Sequence, residues 1–434
     1  MRTAAGLNLK DYQAHSATPQ SKSNPRSMLR VDWDLKNLAK ISDATLPAVT
    51  RVLFTDKDLK AREFITSLFE KAGLEVRSDA IGNLFARWVG SEPDLPAVAT
   101  GSHIDAIPQS GLYDGTVGVI GAIEAIRLLK ESGFKPKRSI EIIMFTSEEP
   151  TRFGVGCIGS RMLSRSMTVE ELVALKDDSA ADFDTVRKEA GFDGDLTQIA
   201  LTEHEYKYFV ELHIEQGPLL EQEGIDVGIV TKIAAPATLM ITLEGDGGHA
   251  GAVLMHERND TACAAAEITL MIERLTYQMG GLDTVATTGI FTNGPGAVNS
   301  IPRHSCLGVD VRDIQLERRD ALLDAIQKSA EEICSRRGVR LTTDIINKDN
   351  PIECSVELIE KLQKHASRLG ISSMEMISRA YHDSLFMAQI IPSSMIFVPC
   401  RNGFSHRPEE FSSPEQIDKG IQVLVEALKE LASE

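Results

Sequence analysis

His103, Asp114, Glu149, His213 and His406 are imidazoles and carboxylates placed at or near the ends of apolar runs, and Glu148 directly precedes the third of them. Two divalent cations sharing one carboxylate need about five or six protein donors, and a further carboxylate held off the ions can move protons. This set supplies both, so the chemistry it suggests is metal-assisted hydrolysis. The pair Glu148-Glu149 carries most weight. Adjacent carboxylates repel, which costs little on a solvated loop and much at the mouth of a buried sheet unless cations neutralise them. Glu149 is then the ligand and Glu148 the general acid/base. In His103-Ile104-Asp105, two polar side chains point the same way from an extended segment, so Asp105 can accept the second ring N–H and fix the tautomer that binds metal. Taken singly, Asp114 reads as a helix cap, and His213 and His406 as packed or surface histidines. Their combination makes the case.

Donors so far apart in sequence must be carried to one place by the fold. Ala97–Gly101, Ile140–Phe145 and YFVEL before His213 read as strands, and Val119, Ile120, Ile123, Ile126 and Leu129 recur at helical spacing after Asp114. Helices between apolar strands imply a parallel sheet, and ligands gather beyond the carboxyl ends of such strands. The expected fold class is α/β, a mixed, largely parallel sheet flanked by helices. After Gly224 the texture changes to strands broken by long helices, which reads as an inserted α+β lid or dimerisation domain over 227–345. The catalytic domain is then 31–226 and 346–434, and residues 1–30 form a flexible tail.

With 434 residues the chain is long enough for two cores, and a net charge of −17 argues against a nucleic-acid partner. No segment approaches the roughly 20 apolar residues of a membrane span. Six scattered cysteines fit reduced thiols rather than a disulfide framework. The N-terminal residues lack the apolar stretch of a secretory signal, so the expected compartment is the cytoplasm. In the second domain, GGHAG frees the backbone around His249, Asn299 lies in PGAVNSIP, and Arg312 ends LGVDVRD; a helix-start turn, a loop amide and a solvated arginine are the plain alternatives.

The succession His-x-Asp, Ser-Gly-x-x-Asp-Gly, Glu-Glu, His-Ile-Glu-Gln-Gly-Pro and a late histidine resembles the dinuclear metal amidohydrolases related to aminoacylases and carboxypeptidases, from about residue 35 to the end. The HIEQGP form, with His213 in place of an acid, resembles the branch acting on ureido compounds. The resemblance implies a metal-dependent exopeptidase-type fold and two ions, manganese being the expected metal. His103, Asp114 and His213 would hold one, and Asp114, Glu149 and His406 the other. It further implies that Arg312 clamps a substrate carboxylate, that Asn299, Gln216, Tyr381 and His382 contact substrate, and that His249 polarises the scissile carbonyl from a neighbouring subunit of a homodimer. Plant relatives of this kind enter the endomembrane system, which is the alternative compartment.

In SRAYHDS, Tyr381 stands where carbamoylases and allantoate enzymes commonly have glycine. A phenol adds volume and one hydroxyl donor, so the pocket should take a small polar ureido acid, and the segment resembles plant-type ureidoglycolate amidohydrolases. The expected substrate is ureidoglycolate; allantoate and N-carbamoyl-L-amino acids are the alternatives. An acyl-amide peptidase is disfavoured by HIEQGP, and a metal-free scaffold protein by the completeness of the ligand set.

Overall fold

The computed structural model describes residues 24–202 and 204–434. The expected flexible tail lies outside the described residues up to residue 23, but its last part is helical. Asn24 accepts a hydrogen bond from the Ser27 N–H and Pro25 occupies the first helical turn, a start signal that opens a helix over Pro25–Ala39. The chain divides into two compact units, one made of residues up to Thr231 with Glu353–Ile377 and His382–Glu434, the other of Lys232–Ile352 with Ser378–Tyr381.

The first unit is built on a nine-stranded mixed sheet. Seven of its strands run in the order Val227–Ile233, Ser393–Val398, Tyr206–Ile214, Ala97–His103, Ile140–Phe145, Leu84–Trp88 and Glu75–Ser78. The four from Ser393–Val398 to Ile140–Phe145 are parallel, and the hairpin Glu75–Trp88 adds antiparallel strands at one side. Every residue of Ile140–Phe145 is buried, as an apolar strand covered on both faces must be. The helix Thr116–Glu131 packs against Ala97–His103 and Tyr206–Ile214, and buries twelve of its residues, which explains its nearly unbroken apolar sequence. It also buries Glu124, whose carboxylate takes Arg30 and Arg127, so the first helix is held to it by charge as well as by packing.

Val227–Ile233, expected to open the inserted domain, pairs instead with Ser393–Val398 in this sheet. Burial explains the difference, because Val227, Ile229, Val230 and Ile233 are all sequestered. The second unit correspondingly starts at Lys232 and extends past residue 345, since the strand Arg340–Lys348 stays paired with Ala235–Glu244 as far as Lys348↔Ala237. That unit is a four-stranded antiparallel sheet in the order Val285–Gly294, His304–Asp313, Ala235–Glu244, Arg340–Lys348, with the helices Thr261–Met279 and Leu316–Arg337. Leu239, Ile241 and Leu243 alternate with more exposed residues and share a core with Ile268, Ile272, Leu322 and Ile326 from the helices. One covered face is the signature of this layer arrangement.

Among the described residues no helix is long and apolar enough to cross a membrane. All six cysteines are free thiols.

Where the strand Ala97–His103 approaches its neighbour, Gly101 has φ +149° and a Cβ there would lie 1.9 Å from the Ile143 carbonyl oxygen. Gly101→Ala should therefore destabilise the protein by about 3 kcal/mol or more, whereas Gly289→Ala, with open space around it, should change stability by less than about 1 kcal/mol. Thermal unfolding of the two variants checks this.

Candidate active site

Three neighbouring parallel strands end at one edge of the large sheet. His103 closes Ala97–His103, His213 lies one residue before the end of Tyr206–Ile214, and Glu148-Glu149 follows Ile140–Phe145 after two residues. Asp114 stands just before the helix Thr116–Glu131, and its side chain makes no cap; Gly115, at φ +63°, takes the cap position. A Cβ on Gly115 would lie 2.3 Å from His103 Nε2, so glycine is what lets this turn pass beneath the imidazole. His406 reaches the same place from a loop, with φ +59°.

The carboxylate of Asp114 is the meeting point. Its Oδ1 lies 3.2 Å from His213 Nε2 and 3.9 Å from His103 Nε2, and its Oδ2 lies 3.0 Å from His406 Nε2. His406 Nε2 is also 3.3 Å from Glu149 Oε1, and Glu148 Oε2 is 3.6 Å from His103 Nε2. Two ligand groups result, His103/Asp114/His213 and Asp114/Glu149/His406, in each of which one donor atom per residue lies within 4.8 Å of the others. A third group, Glu211/His213/His382, competes for His213, but Glu211 is already engaged by the Ser102 and Ser384 hydroxyls at 2.7 and 2.5 Å.

The shell around these groups is tightly bonded. The Asp105 carboxylate accepts the backbone N–H groups of Glu148 and Glu149 at 3.2 and 3.0 Å, while His103 Nδ1 lies 3.1 Å from the Asp105 backbone carbonyl. The Asp105 carboxylate also faces the ring, its Oδ1 lying 3.5 Å from His103 Nδ1, so the same side chain adjoins the imidazole and sets the two glutamates. Gln216, expected to touch substrate, donates to both oxygens of Asp114 at 3.0 Å. His382, also expected to touch substrate, is 1% exposed with its ring 4.5 Å from that of His213, a place beside a ligand. Glu410 was not anticipated: its buried carboxylate accepts the N–H groups of Tyr113 and Asp114 at 2.8 and 3.0 Å and the Ser405 hydroxyl. Asp383, equally unanticipated, is fully buried and takes the Ser160 hydroxyl. Glu410 sits in a run, RPEE, that reads as a solvated loop, so the sequence offered no signal for it.

This is a great deal of acid in a dry place. Burial pushes the Glu148 carboxyl well above the usual carboxylate range, with Glu149 and Asp383 adding to the effect. Burial likewise lifts Asp383 to about 8 and Glu410 to about 7. Asp114 goes the other way: burial disfavours its charge, yet hydrogen bonds from His213 and His406 outweigh that and hold it well below its ordinary value. Glu149 Oε1 is buried without a hydrogen bond of good geometry. A mixed imidazole and carboxylate set, sharing one acid and leaving a buried carboxylate oxygen unsatisfied, fits divalent cations better than any hydrogen-bonded alternative.

In the second unit, His249 and Asn299 are brought together where Gly248–His249 pairs with Ser300–Ile301, and the Ala250 N–H bonds to the Asn299 carbonyl. Both side chains are exposed. His249 Nδ1 accepts the Gly251 N–H at 3.1 Å, which leaves the ring proton on Nε2 as a donor. Arg312 pairs with Asp310 at 2.7 Å on the same strand face, and Tyr381 bonds to Asp349 at 2.7 Å.

Residues 99–430 match Peptidase family M20/M25/M40. The chain belongs to that family. It is 51% identical over 433 residues to a ureidoglycolate hydrolase of Arabidopsis thaliana, covering 97% of this chain and 91% of the relative. An N-carbamoyl-L-amino acid amidohydrolase of Geobacillus stearothermophilus is 37% identical, with 92% and 97% covered. Crystal structures of AtUAH in complex with glyoxylate and with (S)-hydroxyglycine each superimpose with a TM-score of 0.88 at 50% identity, covering 95% of this chain and 99% of that one. The resemblance read from the motifs, and the α/β class with it, therefore hold for this M20 protein.

Asp105→Ala leaves the Glu148 and Glu149 N–H groups without their acceptor in a buried place. The variant should lose about 2–4 kcal/mol of stability, as measured by chemical denaturation, since orphaned buried donors cost their full desolvation.

Proposed function

We propose that the protein hydrolyses the ureido group of ureidoglycolate, using two divalent ions held by His103, Asp114 and His213 and by Asp114, Glu149 and His406, with Asp114 as the bridge. Manganese suits these mixed donors. The observation that carries the reading is the sharing of Asp114 between two ligand groups beside a carboxylate, Glu148, that belongs to neither, in a chain half-identical to a ureidoglycolate hydrolase. AtUAH has been crystallised with (S)-hydroxyglycine and with glyoxylate, the two species expected in succession after ureido cleavage, which favours this substrate over allantoate or N-carbamoyl-L-amino acids.

When bound, the ions lower the pKa of water and polarise the carbonyl. Glu148 takes the proton of the attacking water; its buried carboxyl, raised in pKa, is suited to hold that proton and return it to the leaving nitrogen. Asp105 fixes the backbone beneath Glu148 and so its reach. Arg312 clamps the substrate carboxylate, Asn299 hydrogen-bonds the substrate, and the Nε2 proton of His249 faces the developing oxyanion. The carbamate product loses carbon dioxide and ammonia, and the hydroxyglycine left behind collapses to glyoxylate and a second ammonia.

His249 acts from the other subunit of a homodimer in this reading. Val285–Gly294 is an edge strand of the second unit's sheet, and Ile290 and Phe291 on it are 48% and 42% exposed. An apolar edge of this kind is suited to pair with a second copy.

Glu148→Gln keeps the shape and removes the base, so kcat for ammonia release from ureidoglycolate should fall by about a thousandfold or more while the protein still folds. Dialysis against a chelator should abolish activity, and added manganese should restore it. Faster ammonia release from allantoate or an N-carbamoyl-L-amino acid than from ureidoglycolate would transfer the assignment to that substrate.

A further inference from the structure

Cys157 occupies a backbone conformation that glycine would adopt without cost. It sits at φ +56° and ψ +32°, in the left-handed region, directly before the helix Ile158–Ser164. The neighbouring positions show what the turn does. Gly156 lies against the Glu148 carbonyl oxygen so closely that a Cβ would stand 2.5 Å from it. The N–H groups of Cys157, Ile158 and Gly159 bond in succession to the carbonyls of Glu148, Ser147 and Thr146 at 2.8, 3.0 and 2.8 Å. This ladder lays the turn along the segment that carries Glu148. It needs only main chain at position 157, so it does not account for the side chain. A side chain kept in left-handed backbone points to a use for that side chain.

The thiol is fully buried, and its Sγ lies 3.7 Å from Glu148 Oε1. The other carboxylate oxygen, Oε2, is 3.6 Å from His103 Nε2. Asp105 accepts the Glu148 N–H, so the glutamate is held at its N–H, its carbonyl and Oε1, the last two by the same cysteine. A glutamate side chain turns about three bonds, and a fixed backbone alone does not aim its carboxylate; a donor on a packed turn does. We infer that Cys157 is a positioning residue for Glu148, whose S–H donates to Oε1 and fixes the direction in which the carboxylate meets the attacking water. This rests on the proposed role of Glu148 as general base and deepens it. A thiol is a weak donor, so it orients the oxygen without competing strongly for the proton the carboxylate has to take.

Cys157→Ala and Cys157→Ser place the same strain on the backbone and differ in one hydroxyl donor. In Cys157→Ala, kcat for ammonia release from ureidoglycolate should fall about tenfold with KM within about twofold of the native value, because a hydrogen bond that aims the base is lost while the substrate contacts remain. Cys157→Ser should recover kcat to within about threefold of native. The manganese content of both variants should equal that of the native protein. In a Glu148→Gln background, Cys157→Ala should cost no more than about twofold further, as a residue acting through Glu148 requires. A thiol that merely fills space would make alanine at least as active as serine, since a buried hydroxyl is the poorer filling. That ordering, a loss of manganese, or a further tenfold loss on top of Glu148→Gln overturns the inference. Full activity of Glu148→Gln alone would instead remove the reading of Glu148 on which it rests.

Discussion

A buried carboxylate facing imidazoles on two sides is the constraint on which the first unit depends. Asp114 is 6% exposed, yet it stays ionised because His213 and His406 approach its two oxygens at 3.2 and 3.0 Å and Gln216 spans both. That position demands a chain turn with no side chain beneath His103, which Gly115 provides, and a carboxylate behind the loop to collect its N–H groups, which Glu410 provides. Gly111 belongs to the same construction, since a Cβ there would lie 2.3 Å from Glu410 Oε1. The parallel strands then have one task left, to end at the right level. His103, Glu148-Glu149 and His213 leave three adjacent strands at the same edge, so sheet register sets their mutual spacing.

A second layer of acids surrounds the first. Asp105, Glu211, Asp383 and Glu410 are all buried, and each is engaged by backbone N–H groups or serine hydroxyls. Concentrating so many carboxylates is unfavourable in a dry site, and burial accordingly pushes several of them toward the protonated form. Cations bound there would reverse that balance. In the second unit carboxylates also engage donors: Asp310 pairs with Arg312, Asp283 with Arg379, and Asp349 accepts from Tyr381.

The sequence made the donors legible because chemistry restricts them to few residue types and because apolar strands advertise their own ends. IEIIMF followed by Glu148-Glu149 is one such case: a fully buried strand followed by two acids has few cheap explanations. The supporting residues were not legible. Glu410 lies in a charged run typical of solvated loops, and Glu211 hides in a strand where a carboxylate is normally excluded; their roles arise from contacts over 297 and 109 positions of sequence. The role of Asp105 was half read, since the spacing placed its carboxylate beside His103 but could not show that the same side chain would also accept the Glu148 and Glu149 N–H groups. Domain limits were blurred for a similar reason. Val227–Ile233 has the pattern of any buried strand, and pattern does not say which sheet receives it. Tyr381 was recognised as unusual for its position, while the direction of its hydrogen bond depended on Asp349, 32 positions away.

The central claim is that Asp114 bridges two cations. Anomalous diffraction at the manganese edge, from crystals of the native protein grown with that metal, tests it most directly. Two peaks about 3.5 Å apart, one on each side of the Asp114 carboxylate and flanked by His103 with His213 and by Glu149 with His406, are the predicted result. A single peak, or two that do not share Asp114, would contradict the account.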